Sequence, residues 1–329
     1  MIRLQTPVPL PPRPRLLSHG EQLLSLGSCF SEHIARELHR LGHRIEINPH
    51  GVLYNPLSIC TALGRMLEGR LYTEGELLPH AGLWHSMMHH GRFSRRTPAE
   101  TLEAIQRSYE AGRRALFGAR YLLLTWGTAY VYRLGSTNEV VGNCHKMPES
   151  HFSRSLVSVE ELLEPWVELL GRLLEHLPEL QIISTISPIR HLRDGAHGNQ
   201  LSKATLLLFD QALREHFPER MVYFPSYEII LDELRDYRFY ADDLTHPSSL
   251  SQRIVSERLI DWLCSDEAKA LHPHIDRLRN RWLHRPLQLD EWEYELEREQ
   301  TLVLIRSFQM QHPELDLSEW FMPSLEEGF

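Results

Sequence analysis

Five short apolar runs, each followed by a stretch with helical periodicity, constrain this chain more than any other feature. The runs are Gln22–Leu26, His43–Ile47, Tyr121–Trp126, Gln181–Ile186 and Met221–Pro225. Ile34, Ala35, Leu38 and Leu41 recur at helical spacing after the first run, and Leu162, Leu163, Val167, Leu170 and Leu174 do so before the fourth. Further helices are expected over about Leu57–Leu67, from Thr97-Pro98, over Asn199–Phe217, and from the loop Asp236–Pro247 to near Cys264. Alternation of this kind predicts an α/β fold, a parallel sheet wrapped by helices on both faces with strand order 2-1-3-4-5. Ligands of such sheets bind at the carboxyl ends of the strands.

Two stretches interrupt the alternation. Gly69–Arg96 reads as irregular and rich in His, Gly and Trp, and Tyr130–Pro148 reads as an added hairpin turning near Gly135–Asn138. Both are expected over the carboxyl edge of the sheet. From about Asp266 the composition turns to Arg, Glu, Leu and Trp. The chain therefore divides into a main domain over 1–265 and a helical extension over 266–329. Trp282, Leu283, Leu287, Trp292 and Leu296 are expected to pack that extension on its own chain or to form a homodimer seam.

Composition removes several classes. A net charge of -9 argues against a nucleic-acid partner. The 4 cysteines are scattered without a CxxC pair, which suggests reduced thiols and a cytoplasmic protein. Met1–Arg15 lacks the apolar core of a signal peptide, and no run approaches the ~20 apolar residues of a membrane span. No GxGxxG or GxxxxGK[ST] motif supports a nucleotide, and no cofactor is expected.

Two stretches carry chemistry. Gly27-Ser28 stands between the first strand and its helix, where a hydroxyl sits beside backbone N–H groups able to hold an oxyanion. Ser28 or Ser31 equally fits a plain helix cap. In Asp242-Asp243-Leu244-Thr245-His246, a carboxylate three residues before an imidazole can orient it as a base toward a serine. The same residues fit a simple turn. Taken together, the two stretches point to Ser28 as nucleophile, His246 as base and Asp243 as its orienting acid. Cys29 is a rival nucleophile but begins the helix and is expected to face the core. His85 and His89, four apart, would share a helix face suited to a metal. No Glu follows His85 and Gly91 breaks the helix, so no metal site is expected. Arg190, His191 and Lys203 fit either an anionic substrate group or surface ion pairs. Asp232, Glu233 and Arg235 read as a solvated helix face.

Gly27-Ser28-Cys29-Phe30-Ser31 resembles the motif that names the GSCFA-domain family, grouped with the SGNH (GDSL-like) hydrolases. The resemblance runs from about Leu24 to Leu263 through separate blocks in order. They are Gly51–Pro56, Gly127–Ala129, Asn143–Lys146, Ser187–His191, Asn199 with Ser202–Ala204, Tyr223–Glu228, and Asp236–Tyr240 running into Asp243–Pro247. It implies a flavodoxin-like three-layer α/β/α sandwich with a Ser28, Asp243 and His246 triad. It also implies an oxyanion hole of Ser28 and Gly51, with Thr128 standing where relatives carry Gly-x-Asn. Asn55, His90, Asn143, His145, Arg190 and His191 are the substrate-side residues it suggests.

The resulting expectation is a serine esterase acting on an O-acyl ester, O-acetyl among them, of a small molecule, lipid or saccharide through an acyl-serine intermediate. An O-acyltransferase would use the same triad with an alcohol acceptor. A catalytically dead binding or scaffold protein on the same fold is the rival from another class.

Overall fold

The computed structural model describes residues 6–13, 15–285 and 291–321. Its main sheet joins β1 (Gln22–Gly27), β2 (Arg44–Ile47), β3 (Ala119–Trp126), β4 (Gln181–Ile186) and β5 (Met221–Tyr223). All pair in parallel in the order β2-β1-β3-β4-β5. β1 is flanked on both sides, and its alternation sends Leu24 and Leu26 to one core and Leu23 to the other. On the first face lie α2 (Pro56–Glu68), α3 (Pro98–Gly118), α4 (Val159–His176) and α5 (Gly195–His216); α1 (Cys29–Arg40) and α6 (Ser249–Leu263) cover the second. This is the three-layer α/β/α sandwich that the alternation of apolar runs predicts.

The helix starts follow their sequence signals. Asn55 caps α2 by accepting from the Ser58 N–H at 2.8 Å, with Pro56 at the first position. Thr97 caps α3 in the same way, followed by Pro98. Ser158 opens α4 with a reciprocal capping box to Glu161. Inside the first core, Trp126 donates to the buried carboxylate of Asp210 at 2.9 Å, and Arg214 pairs with the other oxygen at 2.9 Å. This ties α5 to β3.

The two interruptions are more regular than the sequence suggests. Within 69–96, Leu77–His80 pairs antiparallel with Leu83–Ser86, turning through Ala81 and Gly82 at φ 49 and 78. Pro79 and the histidines conceal the strand alternation. His85 therefore lies in a strand, and the shared helix face considered for His85 and His89 does not exist. The second insertion is a three-stranded antiparallel sheet in which Phe152–Leu156 joins the predicted hairpin of Tyr130–Leu134 and Val140–Val141. Glu233 is no solvated residue: it holds Arg258 at 2.6 and 2.7 Å and accepts from the Val8 N–H at 3.1 Å.

Helices α7 (Asp266–Leu283) and α8 (Glu291–Gln311) return to the amino edge of the sheet. Ile275, Ile305, Phe308, Leu315, Leu317 and Trp320 form their own small core. The Asp316 N–H donates to the Gly42 carbonyl at 2.8 Å, Arg44 donates to the Pro313 carbonyl at 3.1 Å, and Arg40 pairs with Asp276. Of the seam residues expected from sequence, Trp282 donates to the Trp320 carbonyl, whereas Leu283, Trp292 and Leu296 stay exposed. Packing on the same chain rests on Trp282 together with residues of the small core, and Leu287 lies outside the described residues.

Two helical glycines should respond oppositely to one methyl group. A Cβ on Gly112 would lie 2.6 Å from Pro49 carbons, whereas one on Gly171 meets nothing within 4 Å. Gly112→Ala should therefore lower the unfolding free energy by about 1–3 kcal/mol through overpacking. Gly171→Ala should raise it by roughly 0.5–1 kcal/mol through helix propensity. Urea denaturation of the two variants checks both signs.

Candidate active site

Ser28 is presented by a glycine that nothing else can replace. Gly27 has φ +151, and a Cβ there would lie 2.5 Å from the Thr125 carbonyl oxygen. β1 can thus run tight against β3 to its last residue and turn at once into α1. Ser28 is the extended N-cap residue, and its carbonyl accepts from the Ser31 and Glu32 N–H groups at 2.9 and 3.2 Å. The Ser31 hydroxyl also donates to that carbonyl, at 2.8 Å. Ser28's own hydroxyl makes no capping bond, is fully buried, and has no hydrogen-bond partner. The helix-cap reading therefore does not describe Ser28. Cys29 is the first helical residue, and burial raises its thiol pKa, which works against a thiolate there.

The Asp243–His246 loop is built as a tight unit. One Asp243 oxygen accepts from the Thr245 and His246 N–H groups, both at 2.9 Å, and the other meets His246 Nδ1 at 2.5 Å. The two backbone donors and the imidazole hold the Asp243 carboxyl well below the usual carboxylate range. A carboxylate accepts, so Nδ1 carries the proton and Nε2 is left with a free lone pair. Leu244 reaches φ 57 to close the turn. The loop is anchored by Ala241 N–H to the His246 carbonyl at 2.8 Å. Both side chains are 49% exposed. The hydrogen bond between Ser28 and His246 that the sequence reading anticipates is not formed in this structure.

Between the ends of β1 and β3 runs a strap of backbone. The Leu53 N–H donates to the Gly27 carbonyl at 3.0 Å, and the Tyr54 carbonyl accepts from the Gly127 and Thr128 N–H groups at 2.8 and 2.9 Å. A Cβ on Gly127 would sit 2.7 Å from that Tyr54 oxygen, so the Gly at this point admits the strap. The Thr128 N–H is therefore engaged by Tyr54, and its hydroxyl pairs with Ser202 at 3.1 Å. The Gly51 N–H likewise donates to the Asn48 carbonyl at 2.7 Å. Of the three residues expected for the oxyanion hole, Ser28, Gly51 and Thr128, the last two have their backbone donors engaged.

Two residues stand out that the sequence reading passed over or misjudged. Asn48 ends β2 with φ 46, and its side-chain oxygen accepts from the Gly27 N–H at 2.9 Å. Because an N–H must face the oxygen, the amide orientation is fixed, and its Nδ2 is buried without a partner. Lys203 is neither a surface ion pair nor an open anion site. Its ammonium is buried and donates to the Gly127 and Ser187 carbonyls at 2.6 and 2.7 Å, joining the ends of β3 and β4. Burial, helped by the charge of Arg190, brings its pKa down to about 7.

The remaining candidates divide into two groups. Tyr54 packs edge-on against His191 at 5.8 Å, and the His191 N–H donates to Asn199 at 3.0 Å. Burial first, then the charges of Lys203, Arg154 and His246, lower the His191 pKa to about 4. Arg190 faces the Tyr240 ring at 5.7 Å. These residues gather around His246. The second group belongs to the insertions. His90 packs against Gly51, whose added Cβ would lie 2.2 Å away, and its N–H donates to the His50 carbonyl at 2.9 Å. Burial and Arg92 lower its pKa. Asn143 accepts from the His145 N–H at 2.8 Å, while His145 Nε2 donates to the Ser86 carbonyl at 2.8 Å. Asn143 and His145 thus lock one insertion to the other, and Asn55 serves α2 as its cap. A groove of 1210 Å³ opens between α2, α4 and the insertions, lined by Cys60, Met87, Met88, Val140 and Leu169, with none of Ser28, Asp243 or His246 in its wall.

Residues 22–259 match the model of the GSCFA family. No curated protein matches the chain. Among solved structures, the chain is similar to a family 3 carbohydrate esterase of Clostridium thermocellum, at 9% identity and TM-score 0.34, covering 77% of this chain and 99% of that one. It is also similar to an acetyl xylan esterase of Butyrivibrio proteoclasticus, at 10% identity and TM-score 0.37, covering 75% and 64%.

Lys203 gives this edge of the sheet a pH signature. With a folded pKa of about 7 against the ordinary lysine value of 10.5, the folded chain releases this proton where the unfolded chain keeps it. Stability rises with pH wherever the unfolded state binds more protons. Relative to Lys203→Met, the unfolding free energy of the native chain should therefore increase as pH goes from about 7 toward 10. Denaturant titrations of both proteins across that window test the slope; parallel curves would contradict it.

Proposed function

The chain belongs to the GSCFA family, and from that premise we propose that it is a serine-dependent hydrolase of O-acyl esters. The observation that carries this reading is a pairing on one sheet edge. A buried, unpartnered Ser28 hydroxyl begins a helix, and an Asp243-oriented His246 offers a free Nε2. A buried hydroxyl without a partner costs about 1–3 kcal/mol, which a mere helix cap would have recovered. In the proposed reaction Ser28 Oγ attacks the acyl carbon while His246 Nε2 takes its proton. That proton passes to the departing alkoxide, leaving an acyl-Ser28 ester. Water then attacks the acyl carbon, giving a proton to His246, which passes it to the departing Ser28 Oγ as the carboxylic acid is released. The half-exposed His246 lets water reach Nε2, which favours hydrolysis over transfer to a second alcohol. Substrate binding brings His246 and Ser28 together, as catalytic contacts commonly tighten only in the complex.

The oxyanion donors in this proposal differ from the sequence expectation. Asn48 Nδ2, on an amide held at the end of β1 by the Gly27 N–H, takes the place of an asparagine after β3, where the Tyr54 strap occupies the backbone donors. Arg190, His191 and His90 are proposed to face the substrate, with an O-acetyl saccharide or small ester as its class.

With p-nitrophenyl acetate, Ser28→Ala and His246→Ala should each reduce kcat/KM at least about a thousandfold, and the double variant should be little worse. Asp243→Asn should retain more activity than either. Asn48→Asp keeps the acceptor for Gly27 and removes the donor, so kcat should fall by about 10²-fold with the fold intact by circular dichroism. A fluorophosphonate probe should label Ser28. A protein that ignores the probe while Ser28→Ala leaves turnover unchanged would be a binding protein on this fold.

A further inference from the structure

Far from Ser28, at the amino edge of the sheet, four potential metal ligands from four separate segments converge. His19 lies in the lead-in before β1, His43 immediately precedes β2, Cys264 is the C-cap of α6, and His272 is on α7. His43, His272 and Cys264 are buried. The ligand atoms of the three histidines lie within 4.8 Å of one another. His43 Nε2 is 3.3 Å from His272 Nε2 and 3.6 Å from Cys264 Sγ. For tetrahedral zinc with bonds of about 2.0–2.1 Å to nitrogen and about 2.3 Å to sulfur, neighbouring ligands stand about 3.3 Å (N and N) and about 3.6 Å (N and S) apart. Both observed separations fit.

The protonation states fit as well. His19 Nε2 is 3.0 Å from the Leu41 carbonyl, which only accepts, so Nε2 carries the hydrogen and Nδ1 keeps its lone pair. An outer N–H directed at a backbone carbonyl is the arrangement metal-bound histidines adopt. The rings of His19 and His43 are stacked at 4.2 Å, so His19 must turn its ring to join a metal lying in the plane of His43. The cluster is three imidazoles without a carboxylate, and the Cys264 thiol meets it through His43; nitrogen and sulfur donors suit zinc over magnesium or calcium.

We propose that His19, His43, His272 and Cys264 bind one zinc ion that pins the lead-in and the C-terminal helices to the sheet. The Cys264 thiol gives up its proton on binding, as ligating thiols do. The site is separate from the Ser28 edge and is structural, with all four positions filled by protein.

The test uses the full chain without a histidine tag. After dialysis against metal-free buffer, about one zinc per chain should remain by elemental analysis. Cobalt(II) exchanged into the apoprotein should give the intense visible d–d bands of a tetrahedral ion and a near-ultraviolet thiolate charge-transfer band. Cys264→Ser should lose the charge-transfer band, and His272→Ala should retain no zinc after the same dialysis. EDTA should lower the Tm of the native chain and leave that of His272→Ala unmoved. The native cobalt spectrum needs no variant to fold. Absence of tetrahedral bands together with no retained zinc would overturn the site, leaving a His43–His272 hydrogen bond. A cobalt spectrum and zinc content unchanged in both variants would place the metal on other histidines and overturn it equally.

Discussion

The Tyr54 carbonyl is the acceptor on which the carboxyl edge depends. By taking the Gly127 and Thr128 N–H groups while Leu53 donates to Gly27, one short strap ties the ends of the two central strands. Those backbone groups lie beyond the last ladder bonds, and buried polar groups left unpaired are costly. The strap satisfies them, and Lys203 does the same for the Gly127 and Ser187 carbonyls between β3 and β4. The crevice is thereby rigid on the sheet side, while the Asp243–His246 loop stands half in solvent. A fixed serine and an exposed base divide the proposed site into a rigid and an accessible half.

The layers were readable from sequence because strands of a parallel sheet are buried on both faces and appear as short unbroken apolar runs. Tyr121–Trp126 and Gln181–Ile186 are of that kind. The hairpin Leu77–Ser86 was not readable: Pro79, His80 and His85 stand where alternation would have shown. The strap was invisible for a different reason. Its work is done by main-chain atoms, and the only trace in the sequence is a pair of glycines, Gly27 and Gly127, whose need for close backbone approach emerges only in three dimensions.

At the site, the residue types were legible and their tasks only partly so. The Asp243–His246 contact follows from a three-residue spacing, which geometry makes nearly local. Whether Ser28 caps its helix or keeps its hydroxyl free depends on a rotamer that no pattern encodes. Lys203 shares a helical stripe with Ser202, Leu206 and Asp210, all buried, so a signal was present: a lysine on an inward face. Asn48 read as the end of a strand before Pro49, and its amide gained meaning only through the distant Gly27 N–H.

The amino edge joins residues very far apart along the chain. Leu17 pairs with the segment at Cys264, and Trp262 donates to the Pro11 carbonyl 251 residues away. During synthesis the lead-in therefore lacks its Trp262 and Cys264 partners until α6 has left the ribosome. Contacts of such long sequence separation slow folding, since loop closure must precede their reward. The central strand β1 meets the same delay at smaller scale, waiting for β3 across both α2 and α3. Until α6 emerges, the apolar face of α1, buried in the finished fold, lacks the cover that α6 gives it.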